Sequence, residues 1–178
     1  MTSQQISNLV NILGKMKDLR RNGWVNHGVK NPESDADHSY SLAMLVLLLA
    51  PKRLDLLKCL KMALIHDLPE VFCGDFVPGQ ISDVEKNRLE TDAMHEIAHR
   101  LHTSAFADLF AEFEMQKTPE AQFVKALDRL DNVLTAKYYE TEQNLKLVDE
   151  FAASAYPRIV RLDEDLRHLL LQILADLQ

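Results

Sequence analysis

Cysteine is scarce: Cys59 and Cys73 are the only two in 178 residues. Two thiols cannot staple a small secreted domain, so an apolar core must hold the chain together, and a reducing cytoplasmic setting is expected. Glycine and proline are scarce too, at five and six residues. An all-β chain needs turn residues at short, regular intervals, so helix is favoured. Positive charge is short: 20 Lys and Arg against 27 Asp and Glu leave a formal net charge of −7. That excludes the basic footprint required by nucleic acid or by an anionic membrane surface. A small phosphorylated ligand stays open, because a metal and one or two local arginines suffice to hold it. Long apolar runs are also missing. Leu42 to Ala50 is the longest, far below the roughly 20 residues that span a bilayer, and it reads as a buried helix. Met1 to Val10 has neither the basic start nor the apolar stretch of a secretory signal. What is present, 47 % hydrophobic and 26 % charged residues, is ordinary globular usage. The length fits one domain over residues 1–178.

Apolar spacing predicts the elements. Ile6, Leu9, Val10, Leu13, Met16 and Leu19 recur by threes and fours, which makes residues 4–20 an amphipathic helix. Gly23 to Asp37 breaks that pattern and forms a long connection, the kind that often carries function. Asp35 or Asp37 is placed to cap the next helix, which runs to about Ala50. A second apolar helix spans Leu54 to Leu68, followed by a loop marked by Gly74, Pro78 and Gly79. Ser82 and Glu85 have capping-box spacing ahead of a helix to about Leu101. A shorter helix covers Ala105 to Glu114. Pro119 suits the first position of a long helix to about Glu142. Residues 145–153 are weakly helical, and a last helix runs from Pro157 to Leu177. The prediction is an all-α bundle of about six or seven helices.

Several polar residues interrupt apolar faces. His38 shares a face with Leu42, Leu45 and Leu49, so it points inward. His66 lies with Cys59, Met62 and Ala63, and Asp67 with Leu60, Ala63 and Leu64. A buried carboxylate is costly unless it is paired or binds a metal. Imidazole nitrogen and carboxylate oxygen together suit a divalent transition metal. The long helix offers Asp128 and Asp131 as further ligands. Glu70 falls four residues after His66, on the same face if the helix persists through Pro69, and Asp75 follows in a turn after Gly74.

The ordered set of His38, His66-Asp67 and Asp128 resembles the HD-domain metal-dependent phosphohydrolases. Asn31-Pro32-Glu33-Ser34, His66-Asp67-Leu68-Pro69-Glu70 with Gly74-Asp75, and Arg21 with Gly23-Trp24 resemble the 5′-deoxynucleotidase subgroup over residues 6–140. The resemblance implies an HD-domain helical bundle. It implies that His38, His66, Asp67 and Asp128 bind one divalent metal, with Mn, Co, Mg, Zn, Fe and Ni all admissible. Glu70 would handle the proton of the attacking water or the leaving group, and Asp75 would hold substrate or water. Arg21 would contact the phosphate and Trp24 would shape the sugar pocket. The implied substrate is a (deoxy)nucleoside 5′-monophosphate, cleaved to nucleoside and phosphate, and the implied assembly is a homodimer. Periodicity alone places Asp131, not Asp128, nearer the centre of the Phe123, Leu127, Leu130 and Leu134 face. It does not choose between Arg20 and Arg21, and it allows Trp24 to be simple packing and Glu33 a loop cap.

Other readings compete. His95-Glu96-Ile97-Ala98-His99 matches the H-E-x-x-H zinc-peptidase pattern. The apolar stripe of that helix is Met94, Ile97, Ala98 and Leu101, which leaves His95, His99 and His102 on the far, solvated side. Extra histidines in this interval also raise a two-metal centre, an HD-type phosphodiesterase or a dinuclear oxygenase as alternatives.

Overall fold

The computed structural model describes residues 2–178. Among them it contains ten helices and no strand: α1 (Ser3–Asp18), α2 (Asn22–Asn26), α3 (Asp35–Leu49), α4 (Leu56–Ile65), α5 (Glu70–Cys73), α6 (Asp83–Leu101), α7 (Ala105–Met115), α8 (Pro119–Gln143), α9 (Val148–Ile159) and α10 (Glu164–Leu177). The all-α expectation holds, and the count exceeds six or seven for identifiable reasons. α2 and α5 are single turns of five and four residues, too short to show a period. The helix expected to open at Pro157 is instead two helices. Pro157 lies in the last turn of α9, where its missing N–H costs one ladder bond. α10 opens on Asp163, whose carboxylate accepts the N–H of Leu166.

The chain divides into two compact units. One contains the residues up to Tyr40 together with Leu64–Glu112; the other contains Ser41–Ala63 and Phe113–Gln178. In the first, α1 packs on α5 and α6, and α5 packs on α6. Its core joins Ile12 and Met16 of α1, Ile65 and Leu68, Met94, Ile97 and Leu101 of α6, and Phe110 of α7. Gln5 and Asn8 of α1 donate to the last carbonyls of α6, at Leu101 (3.2 Å) and Arg100 (3.0 Å), groups that the helix itself cannot satisfy. In the second unit, α8, α9 and α10 pack on one another, and Phe123, Leu127 and Leu130 of α8 are fully buried. α8 opens at Pro119, as the sequence predicts, and Thr118 caps it.

The apolar run in α3 is only partly buried. Leu42 and Val46 are inaccessible, whereas Met44, Leu47 and Leu48 are exposed. A helix apolar on all sides is ordinarily buried throughout, so this exposed apolar face departs from the expected buried helix. No helix among the described residues is long and apolar enough to cross a membrane.

Candidate metal centre

The centre is assembled in the first unit from residues at the ends of short elements. α3 begins beside α2 because the chain doubles back. Arg20 and Ser34 form an isolated antiparallel bridge, Arg21 N–H donates to Glu33 O (3.2 Å), and Asp35 N–H donates to Leu19 O (3.1 Å). Neither Asp35 nor Asp37 caps α3. Ser34 does: its hydroxyl accepts the Asp37 N–H (3.2 Å), while the Asp37 carboxylate accepts the Ser34 N–H (2.9 Å). With the cap supplied by its neighbour, Asp35 turns inward. His38, one turn later, is fully buried.

The helix expected to reach Leu68 stops at Ile65, so His66 and Asp67 sit in the turn that follows it. Pro69 cannot continue an α-helical ladder, and the chain tightens to i→i−3 bonds: Leu68 N–H to Ile65 O, Glu70 N–H to Asp67 O, and Phe72 N–H to Pro69 O. In such a turn residues three apart eclipse. Glu70 therefore stands over Asp67, not over His66 as α-helical spacing predicts. Gly74, at φ +86°, closes α5 in a conformation that other residues adopt only under strain. Asp75 follows; its carboxylate accepts the Asn22 N–H, and its carbonyl accepts the Asn22 amide (2.7 Å), which fixes the start of α2.

His38, His66 and Asp67 are brought together. The two Nε2 atoms lie 3.2 Å apart, Asp67 Oδ1 is 3.1 Å from His66 Nε2, and Asp67 Oδ2 is 3.8 Å from His38 Nε2. A second set, Asp35, Asp67 and Glu70, places one oxygen of each within 4.8 Å of the others. Arg21 NH1 donates to Asp67 Oδ2 (2.9 Å) and lies 4.0 Å from Asp35 Oδ1, and Arg21 Nε is 3.5 Å from Glu33 Oε1. Trp24 is 1 % exposed and donates its indole N–H to Glu33 Oε1 (2.8 Å). Its ring thus reaches the centre through Glu33 and Arg21.

Electrostatics follow from this crowding. Burial raises the Asp67 carboxyl, but the charges of His66, Arg21 and His38 outweigh it and hold the group below the ordinary carboxylate range. Burial, then the charge of Asp67, pushes Asp35 up to about 7. Burial, then Asp67, Asp75 and Asp35, pushes Glu70 well above the ordinary range. Both Asp35 oxygens and Glu70 Oε2 are buried without a hydrogen-bond partner.

These donors fit a divalent cation. Metal–nitrogen bonds of about 2.0–2.1 Å at tetrahedral or octahedral angles put neighbouring donors roughly 2.8–3.4 Å apart. The His38–His66 and His66–Asp67 separations, 3.2 and 3.1 Å, fall in that range. Unpartnered buried carboxylate oxygens also call for positive charge.

Asp128 and Asp131 lie on α8 in the second unit. Both are buried, and Asp128 Oδ2 is 3.7 Å from Arg129 Nε. His95, His99 and His102 are exposed, as their helical face predicts, and Glu96 pairs with Arg100 (2.6 Å). Among the described residues none of these histidines belongs to a group that could hold a metal. Sequence reasoning passed over Lys86 and the buried Glu90, both on α6, which packs against α5; the two are joined at 3.3 Å.

An all-α chain that turns two histidines and an aspartate toward one point is a helical protein with a group of donors able to hold a cation. The HD domain model matches residues 13–165, and the chain belongs to the HD-domain family. It is 43 % identical over 143 residues to the 5′-deoxynucleotidase HDDC2 of Dictyostelium discoideum, covering 74 % of this chain and 75 % of that one. It is 33 % identical over 174 residues to the 5′-deoxynucleotidase HDDC2 of Homo sapiens, covering 92 % and 85 %. Among solved structures it is similar to the PH0347 protein from Pyrococcus horikoshii, with TM-score 0.82, 35 % identity and 97 % of each chain covered.

Proposed function

We propose that the protein hydrolyses the phosphomonoester of (deoxy)nucleoside 5′-monophosphates, releasing nucleoside and inorganic phosphate. The observation that carries the reading is the convergence of His38, His66 and Asp67 at hydrogen-bond distances in an HD-domain chain. Relatives named as 5′-deoxynucleotidases supply the substrate class.

His38, His66 and Asp67 hold a divalent cation, with Asp128 as a further ligand; the part of Asp128 rests on its place in the sequence pattern. A cation held by these residues would supply positive charge for the phosphate oxygens and would make a nearby water more acidic. Arg21 takes up one Asp67 oxygen, which orients the other toward His66. It also brings positive charge toward the phosphate among carboxylates that would otherwise repel it. Glu70 stays protonated above the ordinary carboxylate range in the cation-free protein, so it can donate to the leaving 5′-oxygen or exchange a proton with the attacking water. Asp75 holds substrate or water, and by bonding Asn22 it also places α2 and Arg21. Trp24 acts on the sugar side through the Glu33–Arg21 connection.

The test is phosphate release from a panel of ribo- and deoxynucleoside 5′-monophosphates by metal-stripped protein reloaded with Mn, Co, Mg, Zn, Fe or Ni. Asp67→Ala is the control. Metal-dependent release that the substitution abolishes is expected. No release with any metal removes the reading, and a metal count on the same sample separates one cation per chain from two. The exposed Met44, Leu47 and Leu48 of α3 support a homodimer. Sedimentation of wild type against Leu48→Glu tests it. Two reduced thiols support a cytoplasmic location.

A further inference from the structure

Cations are few around this centre. Arg21 is committed to three carboxylates, Asp67 at 2.9 Å, Glu33 at 3.5 Å and Asp35 at 4.0 Å. Lys86 differs. It lies four residues into α6, which packs against α5, the turn that Glu70 opens. Its Nζ is 3.3 Å from Glu90 Oε1, one helical turn along, and its side chain keeps 35 % of its exposure. The side chain is therefore tethered at its tip and partly exposed. Burial works against its protonated form, and the charges of Glu90, Glu70 and Asp67 outweigh it.

Helix energetics do not account for a lysine here. The first turns of a helix carry the positive end of its dipole and disfavour a cation. Lys ahead of Glu at i,i+4 is the weaker order for such a pair. A residue that breaks two local rules next to a cluster of acids points to a role outside the helix.

We propose that Lys86 is a substrate-binding residue that contacts the phosphate group of the nucleotide from the α6 side of the centre, with Glu90 holding its side chain in place. This rests on the phosphomonoesterase reading. A dianionic phosphate entering among Asp35, Asp67, Glu70 and Asp75 meets strong repulsion. A metal cation offsets part of it, and an ammonium on a flexible stem adds a mobile charge that Arg21, already engaged, does not supply. Lys86 then favours a phosphomonoester over less charged phosphate esters.

The test compares metal-loaded wild type with Lys86→Met, Lys86→Gln, Lys86→Arg and the double variant Lys86→Met/Glu90→Gln. KM and kcat are measured for a deoxynucleoside 5′-monophosphate, and the affinity for inorganic phosphate is measured by calorimetry without turnover. Loss of a charge-assisted hydrogen bond predicts that KM and the phosphate dissociation constant both rise about tenfold or more in Met and Gln, with kcat changed by less than about twofold. Lys86→Arg recovers most of the affinity, and the double variant remains weak. Unchanged phosphate affinity in a folded Met or Gln variant, or recovery in the double variant, would show that Lys86 merely neutralises Glu90 and would overturn the proposal. A wild type that releases no phosphate from any nucleotide would remove the phosphomonoesterase reading instead. The calorimetric arm then still decides Lys86.

Discussion

Asp35→Asn is expected to stabilise the cation-free protein, by an amount that grows with pH. Asp35 is 0 % exposed, and neither of its oxygens has a hydrogen-bond partner. Its nearest cation, Arg21 NH1, stands 4.0 Å away and already donates to Asp67. Burial and then the Asp67 charge raise its pKa from 3.8 to about 7. Between those two values the folded protein binds a proton that the unfolded chain has released, so stability falls as pH climbs from about 4 to about 7. The slope is one proton, about 1.4 kcal/mol per pH unit, and the accumulated penalty at pH 7 is on the order of 4 kcal/mol. Asparagine keeps the shape, carries no charge, and offers an N–H to the neighbouring carboxylates.

The assay is urea unfolding in the presence of a chelator, wild type against Asp35→Asn, at several points between about pH 4.5 and 7.5. The gain should be small at the acid end and several kcal/mol at neutral pH. For a chain of this size each kcal/mol is roughly 2–4 °C in Tm, so a thermal scan resolves it. A saturating divalent cation should narrow or reverse the difference, because Asp35 belongs to a set of carboxylates that the cation would neutralise. A gain that does not change with pH, or a loss at pH 7, would refute the argument that an unneutralised buried charge sets the stability of this region.

Arg21→Ala leaves the buried Asp35 and the half-buried Asp67 without their guanidinium and should cost about 3–5 kcal/mol in the cation-free protein, read from denaturant midpoints. Joint replacement of His95 and His99 by Ala touches only exposed positions and should leave phosphate release within about twofold; abolished release would restore the two-metal reading. Ser34→Ala removes the cap of α3 and should cost about 1 kcal/mol, measured by thermal unfolding.

His38 and the His66-Asp67 pair were legible in the sequence because polar residues on apolar helical faces are conspicuous, and the structure buries both histidines. The role of Asp35 was not legible. An aspartate at the start of a helix looks like a cap, and only the Ser34–Asp37 reciprocal pair shows that the cap is already supplied. That signal was present as Ser-x-x-Asp, a close variant of the usual capping box. Lys86 and Glu90 went unnoticed because an i,i+4 pair of opposite charge reads as a solvated face. The reversed order of the pair, at the positive end of the helix, was the usable clue.

The misplacement of Glu70 has a more general cause. Periodicity assigns a face only while the helix runs, and it assumes 3.6 residues per turn. The candidate residues sit where helices end: Arg21 ahead of α2, Asp35 in the first position of α3, His66 and Asp67 after α4, Glu70 at the head of α5, and Asp75 just beyond it. At such ends the backbone tightens or turns, and the 3.6-residue rule gives the wrong neighbour, His66 instead of Asp67, for Glu70. Short elements also leave orphan N–H groups that a carboxylate can satisfy, as Asp75 does for Asn22. Gathering acids at helix ends therefore accomplishes two things. It fixes the short turns that carry these residues, and it concentrates negative charge that a bound cation would relieve. The region should be most stable in the state in which it acts.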